Sequence, residues 1–199
     1  MRLKTVESRS DKGYSIQDIL GHFKTFPVSS RDQLLRLFCG GDRRKITKLN
    51  EKLRKLVDRG QLDVNKEILP YVYFGVPRRI QKRTNTLNHH MAIVDFWIWL
   101  LEGSRAYNCP DPVVVSYEHN FGRGKAKPDI ILEWEGKTWF VEVQRSVISQ
   151  KKMDKKMKMY EEVYVDGAYE KEFTVWVVTN KPYQLNTDIP TKQTVVDFL

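Results

Sequence analysis

Asp129 and Glu142 are the two residues whose types and spacing could do chemistry together. They fall in the stretch Lys127 to Ser146, KPDIILEWEGKTWFVEVQRS. It reads as two strands joined by a tight turn at Glu135-Gly136, because each run is rich in β-branched and aromatic residues and glycine accepts the dihedrals of a short hairpin. If Trp134 pairs with Lys137, Asp129 lies opposite Glu142 and Lys127 opposite Gln144. Facing residues in an antiparallel pair hold their Cβ atoms about 4.5 to 5.5 Å apart, where like charges repel. A hard divalent cation, Mg²⁺ or Mn²⁺, would account for the pairing, since Mg²⁺ is typically held by one or two carboxylates with water and phosphate oxygens. The other reading is a polar sheet end with both acids splayed into water. Spacing alone leaves both open.

The elements around the pair must position it. One face of the hairpin carries Ile130, Leu132, Trp134, Trp139, Val141 and Val143, a continuous core face; the other carries Ile131 and Phe140, with Asp129, Glu142 and Gln144 at one end. Upstream, Thr86 to Leu101 reads as a buried helix with Ile93, Phe96, Trp97, Leu100 and Leu101 in its stripe. His89 and His90 on that helix lack a third ligand at helical spacing, so packing or capping is the reading preferred over metal. Asn108 to Pro112 is a loop, Val113 to Tyr117 a strand that ends at Glu118, and His119 to Ala126 a loop with Gly122 and Gly124. Downstream, a helix from about Ser149 to Tyr164 turns Met153, Met157, Tyr160 and Tyr164 inward, while Lys151, Lys152, Lys155, Lys156 and Lys158 crowd its other faces. Phe173 to Thr179 is apolar on both sides and reads as a central strand. A final helix at Thr194 to Leu199 is missing or very short.

The N-terminal half has a different character. Residues 1–86 hold 20 Lys and Arg against 9 Asp and Glu, a formal +11, whereas 87–199 hold 14 against 16. Such asymmetry points to nucleic acid gripped by the first half and processed or accompanied by the second. After a flexible start at 1–13, a helix begins at Ser15, with Asp18 in its first turn and Gly21 as its end. A second helix is capped by Ser29 or Ser30 and stopped by Gly40-Gly41. The third is capped by Asp42, carries Ile46, Leu49, Leu53, Leu56 and Val57 as its stripe, and ends at Gly60. Two extended runs, Gln61 to Val64 and Ile68 to Phe74, follow. Three compact helices and a hairpin make the winged-helix arrangement over 14–75, in which the third helix enters the major groove. Arg43, Arg44, Lys45 and Lys48 are then placed for base edges, and Lys52, Lys55 and Lys66 for phosphates. The bland alternative is a solvated basic face or a protein dock. A basic connector at 76–86 separates this domain from 87–199.

Composition bounds the rest. At 199 residues the chain suits one large or two small domains. It has no apolar run of membrane length and no signal-peptide pattern after Met1, which points to a cytoplasmic protein associated with nucleoid or plasmid. Cys39 and Cys109 show no metal or disulfide spacing. The partners expected are double-stranded DNA and, as one option, a second copy of the chain, with no membrane.

Helix, strand, Pro128-Asp129 opening a second strand, Glu142-Val143-Gln144 ending a third, then helix and strand resembles the PD-(D/E)XK nuclease core. More narrowly, the chain is similar to the replication-relaxation family, on His89 with Asp95-Phe96, Glu118, Pro128-Asp129, Phe140 to Val143 followed by Arg145-Ser146, and Lys156 with Tyr160. The resemblance implies an α/β (α+β) fold: a winged helix-turn-helix followed by a nuclease-like mixed sheet flanked by helices. It also implies a DNA-binding protein tied to replication or transfer of a plasmid, phage or other mobile element. Active nucleases of this type carry a lysine where Gln144 stands. A neutral amide can orient water but supplies no positive charge, so Lys127, or Lys152, Lys155 or Lys156 on the next helix, would have to substitute. Asp129 and Glu142 would bind metal, with Glu118 either completing the shell or standing as an exposed strand-end acid, in a metal-dependent endonuclease or nickase; the alternative is a degenerate nuclease fold serving a non-catalytic regulator or replication accessory protein.

Overall fold

The computed structural model describes residues 13–77 and 85–197. Most of the basic connector expected at 76–86, and nearly all of the flexible start expected at 1–13, lie outside the described residues. The fold is mixed α+β with two separate sheets. The chain divides into two compact units, one running to Ile98 and the other from Trp99, and the division falls within a helix.

In the first unit, α1 (Ile16–Thr25) opens with a capping box in which Ser15 and Asp18 satisfy each other's backbone N–H groups. It does not stop at Gly21. Glycine inside a helix costs only about 1 kcal/mol, and continuing buries His22 and Phe23 beside Ile19. A short strand β1 (Val28–Ser30), not foreseen from sequence, leads into α2 (Arg31–Cys39), where Ser30 and Gln33 form a second capping box. Gly40, at φ 61, ends α2 in the left-handed region. Asp42 caps a single 3-10 turn, Arg43–Lys45, and α3 (Ile46–Asp58) follows without a side-chain cap, one turn later than expected. Strands β2 (Leu62–Asn65) and β3 (Val72–Gly75) complete an antiparallel sheet in the order β1-β3-β2. Ile19, Phe23, Leu34, Leu35, Leu49, Leu53 and Leu56 form the core under it, with Tyr73.

The long helix α4 (Asn85–Ala106) starts in the first unit, where Leu87 and Met91 pack on Val28, Val72 and Phe74. Its last residues belong to the second unit, and Trp99 there meets Trp176 edge-on at 6.3 Å.

The second unit is built on a five-stranded sheet, β4 (Val113–Tyr117), β5 (Ile130–Trp134), β6 (Lys137–Gln144), β7 (Phe173–Thr179) and β8 (Thr191–Val195), hydrogen-bonded in that order. The hairpin register is the one the turn predicts, Trp134 opposite Lys137 and Ile130 opposite Val141. β6, β7 and β8 run parallel, so the chain must cross over between them. Helix α5 (Gln150–Val165), capped by Ser149, is the first crossover. The second is the irregular segment 180–190, and β8 takes in Thr194 and Val195, where the start of a last, short helix was the expectation. Helix α5 packs Met153, Met157, Tyr160 and Val163 against Ile131, Phe140, Val175 and Val177. With both faces covered, every residue of β6 except Lys137 is buried.

Candidate functional site

Alternation along β6 puts Phe140, Glu142 and Gln144 on the face that α5 covers, with the two polar residues at the carboxyl end of the strand. In open α/β sheets ligands gather beyond the carboxyl ends of parallel strands, and β6 is parallel to β7 there, with Glu142 beside Val177 and Gln144 beside Thr179. Asp129, Glu142 and Gln144 are 7, 6 and 7 % exposed. The acids are therefore not splayed into water.

A buried carboxylate needs partners, and α5 supplies them. Lys156 Nζ donates to Glu142 Oε1 and, at 3.1 Å, to Gln144 Oε1. One turn on, the Tyr160 hydroxyl donates to Glu142 Oε2 at 3.0 Å. Gln144 uses its other end on Ser146, donating from Nε2 to the carbonyl at 2.7 Å and to the hydroxyl at 3.3 Å. Asp129 is held by backbone. Its N–H donates to the Val141 carbonyl at 2.9 Å, its Oδ2 accepts the Val143 N–H at 2.7 Å, and its carbonyl accepts the Glu118 N–H at 2.8 Å.

The electrostatics follow from this packing. Burial first, then the charge of Asp129, pushes the Glu142 carboxyl above its ordinary range, while Lys156 and Tyr160 pull it back. Burial and the two acids push the Tyr160 hydroxyl well up. Tyr117, on β4, is likewise raised by burial and by the nearby charges of Glu118 and Asp129.

The structure thus brings together Asp129, Glu142, Gln144 and Lys156 from the candidates named above, and pairs the side chains of two others, Lys127 and Glu118, with each other. Lys127 pairs with Glu118 at 3.1 Å, both partly exposed, and the paired register ends at Ile130, so Lys127 does not continue it to Gln144. Tyr160 reads from sequence as part of the inward stripe and, with Lys156, as a point of family resemblance, but with no role in the site. A buried tyrosine needs a partner for its hydroxyl, and its place one turn after Lys156 was the available signal. Among the described residues no group of three or more His, Cys, Asp or Glu is arranged to hold an ion. A donor set of two hard carboxylates still fits Mg²⁺ or Mn²⁺, which complete their shells with water and phosphate.

In the first unit Arg43, Lys45, Lys48, Lys55 and Lys66 are exposed. Arg44 folds back onto Asp42, Nε to Oδ1 at 3.0 Å. Lys52 donates to the Tyr14 carbonyl and lies 3.9 Å from the centre of its ring, tying α3 to the start of α1.

A mixed sheet with a buried carboxylate–lysine cluster at its parallel end, preceded by a basic helical unit, defines an α+β protein with a built polar site. The chain belongs to the replication-relaxation family, whose model matches residues 76–178. That match contains the whole cluster and connects the chain with replication or relaxation of plasmids and other mobile elements. No curated protein and no solved structure matches it significantly. No helix among the described residues is long and apolar enough to cross a membrane.

Proposed function

We propose that the chain is a DNA-binding protein of a plasmid, phage or other mobile element, in which a winged helix formed by the first unit holds duplex DNA and the second unit cleaves or nicks a phosphodiester bond. The observation that carries this reading is the reach of Lys156 from α5 to Glu142 and Gln144. It supplies, from the helix, the cation that Gln144 does not supply from the strand, and transition-state charge on phosphate needs such a cation. Gln144, tied to both Lys156 and Ser146, orients the ammonium. Tyr160 fixes the rotation of Glu142. Asp129 and Glu142 would hold a Mg²⁺ or Mn²⁺ ion, which when bound supplies Lewis-acid stabilisation and a more acidic water.

A second reading, a non-catalytic DNA-binding regulator or replication accessory on the same fold, is favoured by one observation: both oxygens of Glu142 already have protein partners. Supercoiled plasmid with Mg²⁺ or Mn²⁺ separates the two. Nicking by the wild type that falls at least a hundredfold in Asp129→Ala, Glu142→Ala and Lys156→Met supports the enzyme. Equal nicking by all four proteins, or none by the wild type, refutes it.

A further inference from the structure

Helix α5 carries a group of exposed lysines that form no ion pair. Lys151, Lys152, Lys155 and Lys158 are exposed, and none of the acids among the described residues pairs with them. Of the acids on the same helix, Asp154 accepts from Gln150 and Asn186 and Glu161 accepts from Thr187 in the 180–190 crossover, while Glu162 is exposed four residues after Lys158 without forming an ion pair with it. Lys151 and Lys152 stand in a first turn that contains no acid, although cations there oppose the helix dipole. Four unpaired ammonium groups that do not serve the stability of their own helix call for an outside anion.

Their placement says which one. Lys151, Lys155 and Lys158 are spaced i, i+4, i+7 and share a stripe. Lys152 lies one turn, about 6 Å of helix rise, before Lys156, on the same side. The lysine track therefore runs alongside the cation that touches Glu142 and Gln144. A repeating anion is what suits a row of separated point charges leading to a buried carboxylate cluster, and a phosphodiester backbone repeats in this way.

We infer that the exposed lysine face of α5 is a second nucleic-acid surface, which binds the backbone of a DNA strand independently of α3 and leads it to the Glu142–Lys156 cluster. This rests on the DNA-binding part of the function proposed above and not on cleavage. The affinity of the full chain for a 25-base-pair duplex is measured in EDTA, so that cutting plays no part. The background is Arg43→Gln, Lys45→Gln and Lys48→Gln, which removes the charges proposed for base contact from the turn before α3 and from its first turn. Residual salt-dependent binding is expected. Adding Lys151→Gln, Lys152→Gln, Lys155→Gln and Lys158→Gln should lower it at least tenfold at low salt and reduce the slope of log K against log salt by about 3.6, four contacts at about 0.9 each.

Residual binding that these substitutions leave unchanged overturns the inference. So does α5-dependent binding of polyglutamate or of anionic phosphatidylserine vesicles in place of DNA. Because the lysines are exposed and glutamine is a good helix former, the variant should melt at or above the wild-type temperature. A clear drop would mean that the lysines hold the fold and would also overturn the inference. A wild type that never nicks yet binds DNA through α5 would sink the nuclease and leave this surface standing.

Discussion

Lys156→Met, Glu142→Gln and their combination form a cycle that measures what the cluster contributes to stability. Removing one partner of a fully buried ion pair costs about 3–5 kcal/mol, because the other charge is left uncompensated. Here the Glu142 side chain is 8 % exposed but that of Lys156 is 36 % exposed, so water screens part of the loss and about 1–3 kcal/mol is expected for Lys156→Met. Tyr160 still holds one oxygen of Glu142, which argues for the lower half of that range. Glu142→Gln keeps an acceptor for Tyr160 and removes a charge that burial and Asp129 both disfavour. It should change stability by less than about 1 kcal/mol at neutral pH, and toward greater stability. The double variant should then sit near the wild type, with a coupling energy of about 1–2 kcal/mol.

The pH dependence gives an independent check. Glu142 has a folded pKa above its ordinary 4.5, so the folded state binds the proton more tightly than the unfolded state. That contribution to stability is fully present below the unfolded value and is lost as pH rises through the folded one. Lys156→Met raises the folded value further, so its cost should shrink toward pH 4.5 and reach its full size at neutral pH and above. Urea melts of the four proteins at pH 4.5 and 7.5 suffice. A Lys156→Met cost below about 0.5 kcal/mol, unchanged by pH and by Glu142→Gln, would show a surface-like pair and refute the account of a buried cluster.

Two further expectations concern the first unit. His22 is buried, donates to or accepts from Ser29 Oγ at 2.7 Å, and has its imidazole held down to about 3 against an ordinary 6.5; the unfolded chain therefore takes up a proton that the folded chain refuses, and stability should fall by about 2 kcal/mol between pH 6.5 and pH 5. Equal pH slopes in urea melts of the wild type and His22→Gln would contradict this. Lys52 and Lys48 should separate by role: Lys52→Met loses about 1 kcal/mol of stability through its Tyr14 contacts and leaves the salt slope of DNA binding intact, whereas Lys48→Met leaves the melt intact and reduces that slope by about 1. Identical behaviour of the two variants in both assays would refute the distinction.

The parts of the fold set by local chemistry were legible in the sequence. Glu135 and Gly136 take positive φ, the turn they form fixes the β5–β6 register, and the register alone put Asp129 near Glu142. Elements set by partners were not. β8 reads Thr-Lys-Gln-Thr-Val, with neither alternation nor an apolar run, and is a strand because β7 offers it an edge. β1 is three residues long and exists through its pairing with β3. The register also misplaced Lys127, because the Asp129 N–H bonds to the Val141 carbonyl and the chain before it leaves the ladder toward Glu118. Of the cluster, the acids could be read from β6 and the residue before β5, but the cation only as one of four lysines, Lys127, Lys152, Lys155 and Lys156, because it comes from fourteen residues further along, at a rotation of α5 that only its packing decides.

In the cleavage reading proposed above, that rotation is what would make Gln144 tolerable. Lysine on the strand two residues after Glu142 would hold acid and cation together by backbone geometry alone. Here Lys156 and Tyr160, four residues apart on α5, grip the two oxygens of one carboxylate, so a single helical turn sets both the position of the ammonium and the angle of Glu142. The rotation is in turn fixed by Met153, Met157 and Val163, buried under the sheet. Cation and acid are consequently in register only when α5 is docked. The cluster is a property of the helix–sheet interface and not of the strand motif, so the neutral residue at 144 is by itself no measure of whether the site is complete.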